Sequence, residues 1–483
     1  MTSDTLRLRR HAASPRFDPP PTPWASHAIH GGVLALWLVL FARAFGGGGL
    51  FAWSAGLAYV AYDTVLIGFV LWQTRTLGRD AANRGTAGPA PQGVTPGPEA
   101  ACVIVAARNE AAVLPATLAA LMGQSEPPAQ IIVADDGSVD GTAELLARRY
   151  GMATPAPGRM TQSATHPGLG WLRLPPGGKA AALNAALLLA RPALVLTVDA
   201  DTLLDRDALA TMRRAFAADP ALVAATGVLS PECGTGTAAR ALQGFQRCEY
   251  VRNFLSRAAW TRADGLLLIS GAFACYRRDA LLAVGGFDPD CLVEDYELTH
   301  RLRDHAVRTG QPCHTAVIGG ALARTEAPGT PGSFLRQRRR WFGGFLQTQF
   351  WYRHMVGSRR HGRLGLMMLP VKALDTFQPI YGLLGVGLLL GWAATGRAVA
   401  VPIAEVVAAK IAIDLSFNLW SLHIYRRWSG DRGPGLALTI AVAVVEPFTF
   451  QILRHLGAAL GWATLLGRQA RWAPATRMGL RTS

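Results

Sequence analysis

Apolar runs long enough to cross a lipid bilayer sit near both ends of this chain and enclose a long polar middle. The first covers Ala28 to Phe45 and the second Leu50 to Trp72, with a glycine-rich turn, Gly46 to Gly49, between them. A bilayer core of about 30 Å takes about 20 apolar residues as a helix, so both can span. Further runs follow at Phe377–Ala394, Val399–Leu422 and Leu436–Phe450. Gln451–Leu466, interrupted by Arg454 and His455, stays open as a fourth span, a re-entrant segment or a surface helix. Charge fits this layout. Arg7, Arg9 and Arg10 precede the first run, Arg75, Arg79 and Arg84 follow the second, and Arg426, Arg427 and Arg432 form a later basic loop. Basic residues beside apolar runs mark the cytoplasmic side. The net charge of +16 therefore points to anionic lipid rather than nucleic acid. A polar, proline-containing leader before the first run argues against a cleavable signal peptide.

The expected organisation is a disordered basic and Pro-rich start (1–27), two transmembrane helices (28–77), a Gly/Pro/Ala linker (78–99), and an α/β domain (100–330). Interfacial helices (331–362), three to four transmembrane helices (363–470) and a basic tail (471–483) complete it. Within the α/β domain, strands are expected at Ala101–Ala107, Gln130–Ala134 and Leu194–Val198. Helices are expected at Ala111–Met122, Thr142–Tyr150 (with Asp140 as a cap) and Lys179–Ala190, and Gly151–Gly170 reads as loop. Strand–helix alternation predicts a mostly parallel sheet with functional residues at the strand C-termini. Gly332–Arg353 reads as a basic amphipathic helix lying on the membrane surface. The six cysteines lack metal-type spacing and are expected to be free, mostly buried thiols.

Chemistry-bearing residues fall at the predicted strand ends. Asp135 and Asp136 precede Gly137, and carboxylates there can accept hydrogen bonds from a base or ribose; a capped turn is the competing reading. Glu110 ends the first strand's turn and faces the same crevice. Asp199 and Asp201 form a D-x-D, two hard oxygen donors suited to Mg²⁺ or Mn²⁺. Lys179 opens a helix after Gly177-Gly178; among three lysines in the chain it alone lies in the polar middle, and it can favour an anion. Glu294-Asp295 supplies a base with a neighbouring anion to raise its basicity, against the alternative of an acidic helix start. Gln337, Arg340 and Trp341 share one helix face, where arginine can grip a diphosphate and tryptophan can stack on a sugar. Asp63, Glu405, Lys410 and Asp414 lie inside apolar runs, as a polar pathway or as a structural ion pair.

Taken in order, Val103 to Leu146, Gly178-Lys179, Asp199/Asp201, Ser270–Phe273, Glu294-Asp295 and Gln337–Trp341 resemble the membrane-embedded, processive family 2 glycosyltransferases, such as cellulose, chitin, hyaluronan and poly-N-acetylglucosamine synthases. The resemblance implies a GT-A fold, a Rossmann-like mixed sheet set between helical membrane regions. It implies inverting, metal-dependent transfer from a UDP-sugar to a growing β-linked polysaccharide at a bacterial inner membrane, with the catalytic domain cytoplasmic and export as an open extension. Asp135, Asp136, Glu110, Lys179 and Asp199 would bind the donor nucleotide, and Asp199 and Asp201 the Mg²⁺ or Mn²⁺. Asp295, with Glu294, would be the base; Gln337, Arg340 and Trp341 the clamp; Gly271, Ala272 and Phe273 the acceptor site. The base motif reads Val-Glu-Asp where polymer synthases often have Thr-Glu-Asp. Implied partners are the UDP-sugar, a saccharide or lipid acceptor and membrane lipids, with no nucleic acid. A glycolipid synthase adding one sugar per acceptor is the alternative, ahead of a non-catalytic scaffold or receptor. A nucleotidyltransferase would want a glycine-rich loop where Arg108-Asn109-Glu110 stands.

Overall fold

The computed structural model describes residues 1–46, 53–79, 99–394 and 400–467. Most of the expected glycine turn at Gly46–Gly49, most of the 78–99 linker and the 471–483 tail lie outside the described residues. At the centre is a nine-stranded sheet, ordered β3-β4-β2-β1-β5-β8-β7-β9-β6. Its strands are β1 (Ala101–Ala107), β2 (Gln130–Asp136), β3 (Met160–Gln162), β4 (Leu169–Leu174), β5 (Leu194–Asp199), β6 (Thr202–Leu204), β7 (Leu222–Glu232), β8 (Phe273–Arg277) and β9 (His314–Glu326). The block β4-β2-β1-β5 is parallel, whereas β8 runs antiparallel to both β5 and β7. The sheet is thus mixed: β7 and β9 are parallel to each other, and the acidic strand ends lie in the continuous parallel block β4-β2-β1-β5.

Strand β1 shows why this half is buried on both faces. Val103 and Val105 join one apolar cluster while Cys102 and Ile104 join the other, as the period of two requires. Helices cover both sides, and the result is a continuous apolar strand rather than an alternating one. Register then sets the site. Ala107 pairs with Asp135 of β2, and Ala106 pairs with Asp199 of β5. Two carboxylate residues therefore flank the end of β1 at nearly one level. All six cysteines are free, four of them buried.

Several expectations need correction. Gly151–Gly170 is not all loop: β3 lies inside it and β4 begins at Leu169, because Leu169 and Trp171 bury themselves against the edge of β2. The chain's start is ordered. Ser3–Ala13 is a helix capped by Thr2, with Leu6 and Ala13 buried. Its arginines do not wait for lipid. Arg9 donates to the Leu282 carbonyl at 3.1 Å, Arg10 to the Phe287 carbonyl at 2.7 Å, and Arg16 pairs with Asp288 and Asp290 at 2.9 Å. Gly285 and Gly286 (φ +80° and +67°) allow this approach, since a Cβ on Gly285 would lie 2.2 Å from the Arg10 nitrogen.

Trp24–Ala44 and Ser54–Arg79 are long and apolar enough to cross a membrane, and up to four spans result if two bent helix pairs each count as one. Ala400–Ser429 is a single helix of 30 residues. Within it Lys410 pairs with Asp414 and reaches Asp63 of the second candidate span at 2.7 Å, so these groups form an ion pair between helices. The expected run Leu436–Phe450 is broken. The helix stops at Val445, Glu446–Phe448 makes a tight turn, and Phe450–Leu466 leaves at 52°. Pro447 lacks the N–H that a continuing helix needs, and Glu446 turns aside to meet Arg252 at 2.6 Å. Phe450–Leu466 packs along Pro331–Trp351 through glycines: a Cβ on Gly461 would lie 2.9 Å from the Gly343 nitrogen, and one on Gly457 would lie 2.6 Å from Arg338.

Candidate active site

The acidic ends of β2 and β5 serve different ends. Asp135 is buried; it accepts from the Ser138 N–H at 2.9 Å and from the Trp171 indole at 3.3 Å. Asp136 accepts from the Gly177 N–H at 2.6 Å and the Gly178 N–H at 3.0 Å, with Arg108 at 3.6 Å from its other oxygen. Asp136 thereby latches the glycine loop that starts the Lys179–Leu189 helix, a structural duty beside the donor contact expected of it. Glu110 is buried at the turn after β1, where its carbonyl receives the Leu114 N–H at 2.9 Å. Gly141, not Asp140, is the N-cap of the Thr142–Tyr150 helix; Asp140, one residue earlier, accepts from the Thr142 N–H at 3.0 Å.

The latched loop aims Lys179 across the strand ends. Its ammonium lies 2.5 Å from Asp199 Oδ1 and 3.5 Å from Glu294 Oε1. Burial would lower its pKa, but Asp199 and Glu294 outweigh that and hold it above the ordinary lysine value. Glu294 and Asp295 open the Glu294–Thr309 helix. Asp295 accepts from the Gly271 N–H at 2.6 Å and the Tyr296 N–H at 2.8 Å. Burial, then the neighbouring Glu294 charge, push its carboxyl up to about 6, against the pull of Gly271, Lys179 and Tyr296. A carboxylate poised there is a competent base at neutral pH. Asp201 is buried two residues past Asp199, with the Thr202 hydroxyl at 3.4 Å from its Oδ1.

The Ser270–Phe273 turn packs directly on Asp295. Asp199 donates its N–H to the Ala272 carbonyl at 3.2 Å, and a Cβ on Gly271 would lie 3.0 Å from Asp295 Oδ2. Gly271→Ala is therefore expected to displace Asp295 and lower transfer by at least tenfold while leaving the unfolding temperature nearly unchanged, measured by turnover and thermal unfolding in detergent. Phe273 corrects an expectation. Its ring is fully buried in the sheet core, where it fills the space a Gly227 side chain would need, so it lines no acceptor surface.

The Pro331–Trp351 helix docks on the two residues that precede Glu294. Arg340 donates to the Leu292 carbonyl at 3.0 Å, the Leu292 N–H donates to Gln347 at 3.1 Å, and Gly344 leaves room for Val293. Arg340 thus ties the helix that carries Gln337 and Trp341 to the short segment before Glu294 and Asp295. The Gln337 Oε1 is buried without a hydrogen-bond partner among the described residues.

Three further residues also belong here. Arg338 lies 4.8 Å from the Trp341 ring centroid and makes a two-pronged pair with buried Glu249, at 2.9 and 2.6 Å. Arg257, on the same Thr237–Arg262 helix as Glu249, is pulled down to about 10 by burial, an effect that Tyr250 and Asp295 partly counter. Its Nη1 is buried with no hydrogen-bond partner among the described residues. Glu249 and Arg257 are single helical residues with no local spacing signal, whereas Arg338 lies inside the Gln337–Trp341 run, where it reads only as part of a basic helix.

A family model described as glycosyltransferase-like family 2 matches residues 98–344. Among curated proteins, a poly-β-1,6-N-acetyl-D-glucosamine synthase from Staphylococcus epidermidis is 28% identical over 254 residues, covering 51% of this chain and 56% of the relative. The protein of the same name from Staphylococcus aureus (strain COL) is 29% identical over 243 residues, covering 50% of this chain and 53% of the relative. The chain thus spans just over half the length of the curated relatives it matches. A solved mannosyltransferase from Pyrobaculum calidifontis, in complex with GDP-Man and Mn²⁺, matches at 21% identity with a TM-score of 0.46, covering 81% of this chain and 99% of that one.

Proposed function

The chain belongs to glycosyltransferase family 2, and on that premise we propose that it is an inverting hexosyltransferase that extends a β-linked polysaccharide from a UDP-sugar. It would work at the cytoplasmic face of a bacterial inner membrane. The observation that carries the reading is the Lys179 ammonium held between Asp199 and Glu294, with Asp295 beside it on the same helix start. A cation facing the strand ends suits a diphosphate, and a raised carboxylate next to it suits an acceptor hydroxyl.

In the proposed step the acceptor oxygen forms a bond to the anomeric carbon as the bond from that carbon to the diphosphate oxygen breaks. The proton passes to Asp295 Oδ, and the nucleoside diphosphate leaves with the bonding pair, its charge met by Lys179. Asp136 holds the loop that aims Lys179, and Gln337, Arg340 and Trp341 clamp donor and acceptor. The donor set also fits a divalent ion: Asp199 is partly open and Asp201 follows two residues on, and hard carboxylate oxygens suit Mg²⁺ or Mn²⁺. Asp199 and Asp201 would hold that ion, which when bound neutralises charge on the departing diphosphate.

Product length separates a polymerase from a glycolipid synthase. Membranes carrying the full chain, incubated with a panel of labelled UDP-sugars, are expected to yield a ladder extending beyond ten sugars from one donor. One added sugar per acceptor would overturn polymer extension, and no transfer from any UDP-sugar would overturn the donor assignment.

A further inference from the structure

Away from the strand ends, Asp304, His354 and His361 converge in a buried cluster. Asp304 Oδ1 lies 3.0 Å from His354 Nε2 and 3.2 Å from His361 Nε2, and the three potential ligand atoms lie within 4.8 Å of one another. We infer that these side chains form a site for a borderline transition-metal ion, zinc by its ligand set, clamping the base-bearing helix to the segment that leads into the C-terminal helices. Asp304 sits in the second half of the Glu294–Thr309 helix, while His354 and His361 sit on two short turns just past Pro331–Trp351.

Geometry and chemistry both favour a cation. Zinc bonds of about 2.0–2.2 Å in a tetrahedron place neighbouring ligand atoms about 3.3 Å apart, close to the two separations seen. Two imidazole nitrogens and one carboxylate oxygen suit zinc better than the all-oxygen set at Asp199 and Asp201 suits it. Both rings aim at one oxygen, although Asp304 has a second, which meets Arg308 at 3.1 Å. His361 Nδ1 meets the Ser358 hydroxyl at 2.9 Å, an outer contact of the kind that orients a ligating ring. His354 Nδ1, the ring nitrogen that does not meet Asp304, is buried with no hydrogen-bond partner among the described residues. Arg308 also reaches the Ala13 carbonyl at 2.7 Å, and the Ser26 hydroxyl donates to the Arg353 carbonyl at 2.7 Å. The cluster therefore stands where the N-terminal helix, the first candidate span and the base-bearing helix meet.

The inference does not depend on sugar transfer and is tested without it. Protein in detergent, stripped by a chelator and then given Zn²⁺, is expected to retain one equivalent through desalting and to unfold at a higher temperature than the stripped form. With Co²⁺ it should show the visible absorption of a low-coordinate site. His354→Gln and His361→Gln should each lose the bound equivalent, and Asp201→Asn should keep it. Stripped wild-type protein that takes up no zinc would overturn the site, a result that needs no variant to fold. Retention in both histidine variants, or loss in Asp201→Asn alone, would overturn it equally.

Discussion

Asp295→Asn should reduce sugar transfer by about 10²–10⁴-fold, the usual worth of a positioned general base. Nucleotide binding should survive, because Lys179, Asp199 and the Gly177-Gly178 loop are untouched. Asparagine keeps the shape and, with one oxygen, one of the two acceptor contacts, since the Gly271 and Tyr296 N–H groups meet different Asp295 oxygens at 2.6 and 2.8 Å. What it loses is the ability to take a proton. Single-turnover transfer, measured beside equilibrium binding of UDP, separates the two effects. Near-normal turnover in this variant would assign the base elsewhere.

Glu249→Ala should be the most damaging change outside the strand ends. Glu249 is buried, and Arg338 and Arg454 both point at it, Arg454 at 3.3 Å. Burial would raise its carboxyl pKa, but Arg338, Arg454 and Arg252 hold it below the ordinary value. Removing it leaves the largely buried Arg338 guanidinium without its carboxylate, while Arg454 keeps Glu446 at 3.5 Å; breaking a buried pair in this way typically costs about 3–5 kcal/mol. The seam joins Thr237–Arg262 to Pro331–Trp351 and Phe450–Leu466, so Arg338 would also lose its position over Trp341. Expected results are a large fall in unfolding temperature and weakened acceptor binding. Glu249→Gln, which keeps the shape, should retain more of both than Glu249→Ala. An unfolding temperature unchanged in Glu249→Ala would show that this network does not hold the clamp helix.

Local pattern carried much of this architecture. The apolar runs of β1, β2 and β5 were readable because both of their faces are buried, and their ends were readable because Asp135 and Asp199 interrupt them. Register then brings those residues level with the end of β1, as a parallel sheet must. Long-range pairing was not readable. Asp136 meets the glycine loop some forty residues on, so its latch could not be told from a donor contact. Arg9 and Arg10 looked like lipid-side charge because their carbonyl partners lie far away in sequence, at Leu282 and Phe287. Glu249 and Arg257 have ordinary helical surroundings in sequence and acquire meaning only from burial, and Arg338, though inside the Gln337–Trp341 run, shows its pairing with Glu249 only in three dimensions. Phe273 was misread for the opposite reason: it lies beside Gly271 and Ala272 in sequence, yet strand alternation turns its ring into the core.

The most direct test is the pH–rate profile of transfer by the wild-type protein and by Glu294→Gln. Asp295 must be ionised to accept the proton, so wild-type activity should rise through a pH of about 6 and level off above it. Removing the Glu294 charge takes away a neighbour that raises the Asp295 pKa, so the rising limb should move to lower pH in Glu294→Gln. A wild-type profile flat across that range, or a limb that stays put or moves upward in the variant, would contradict the placement of the base.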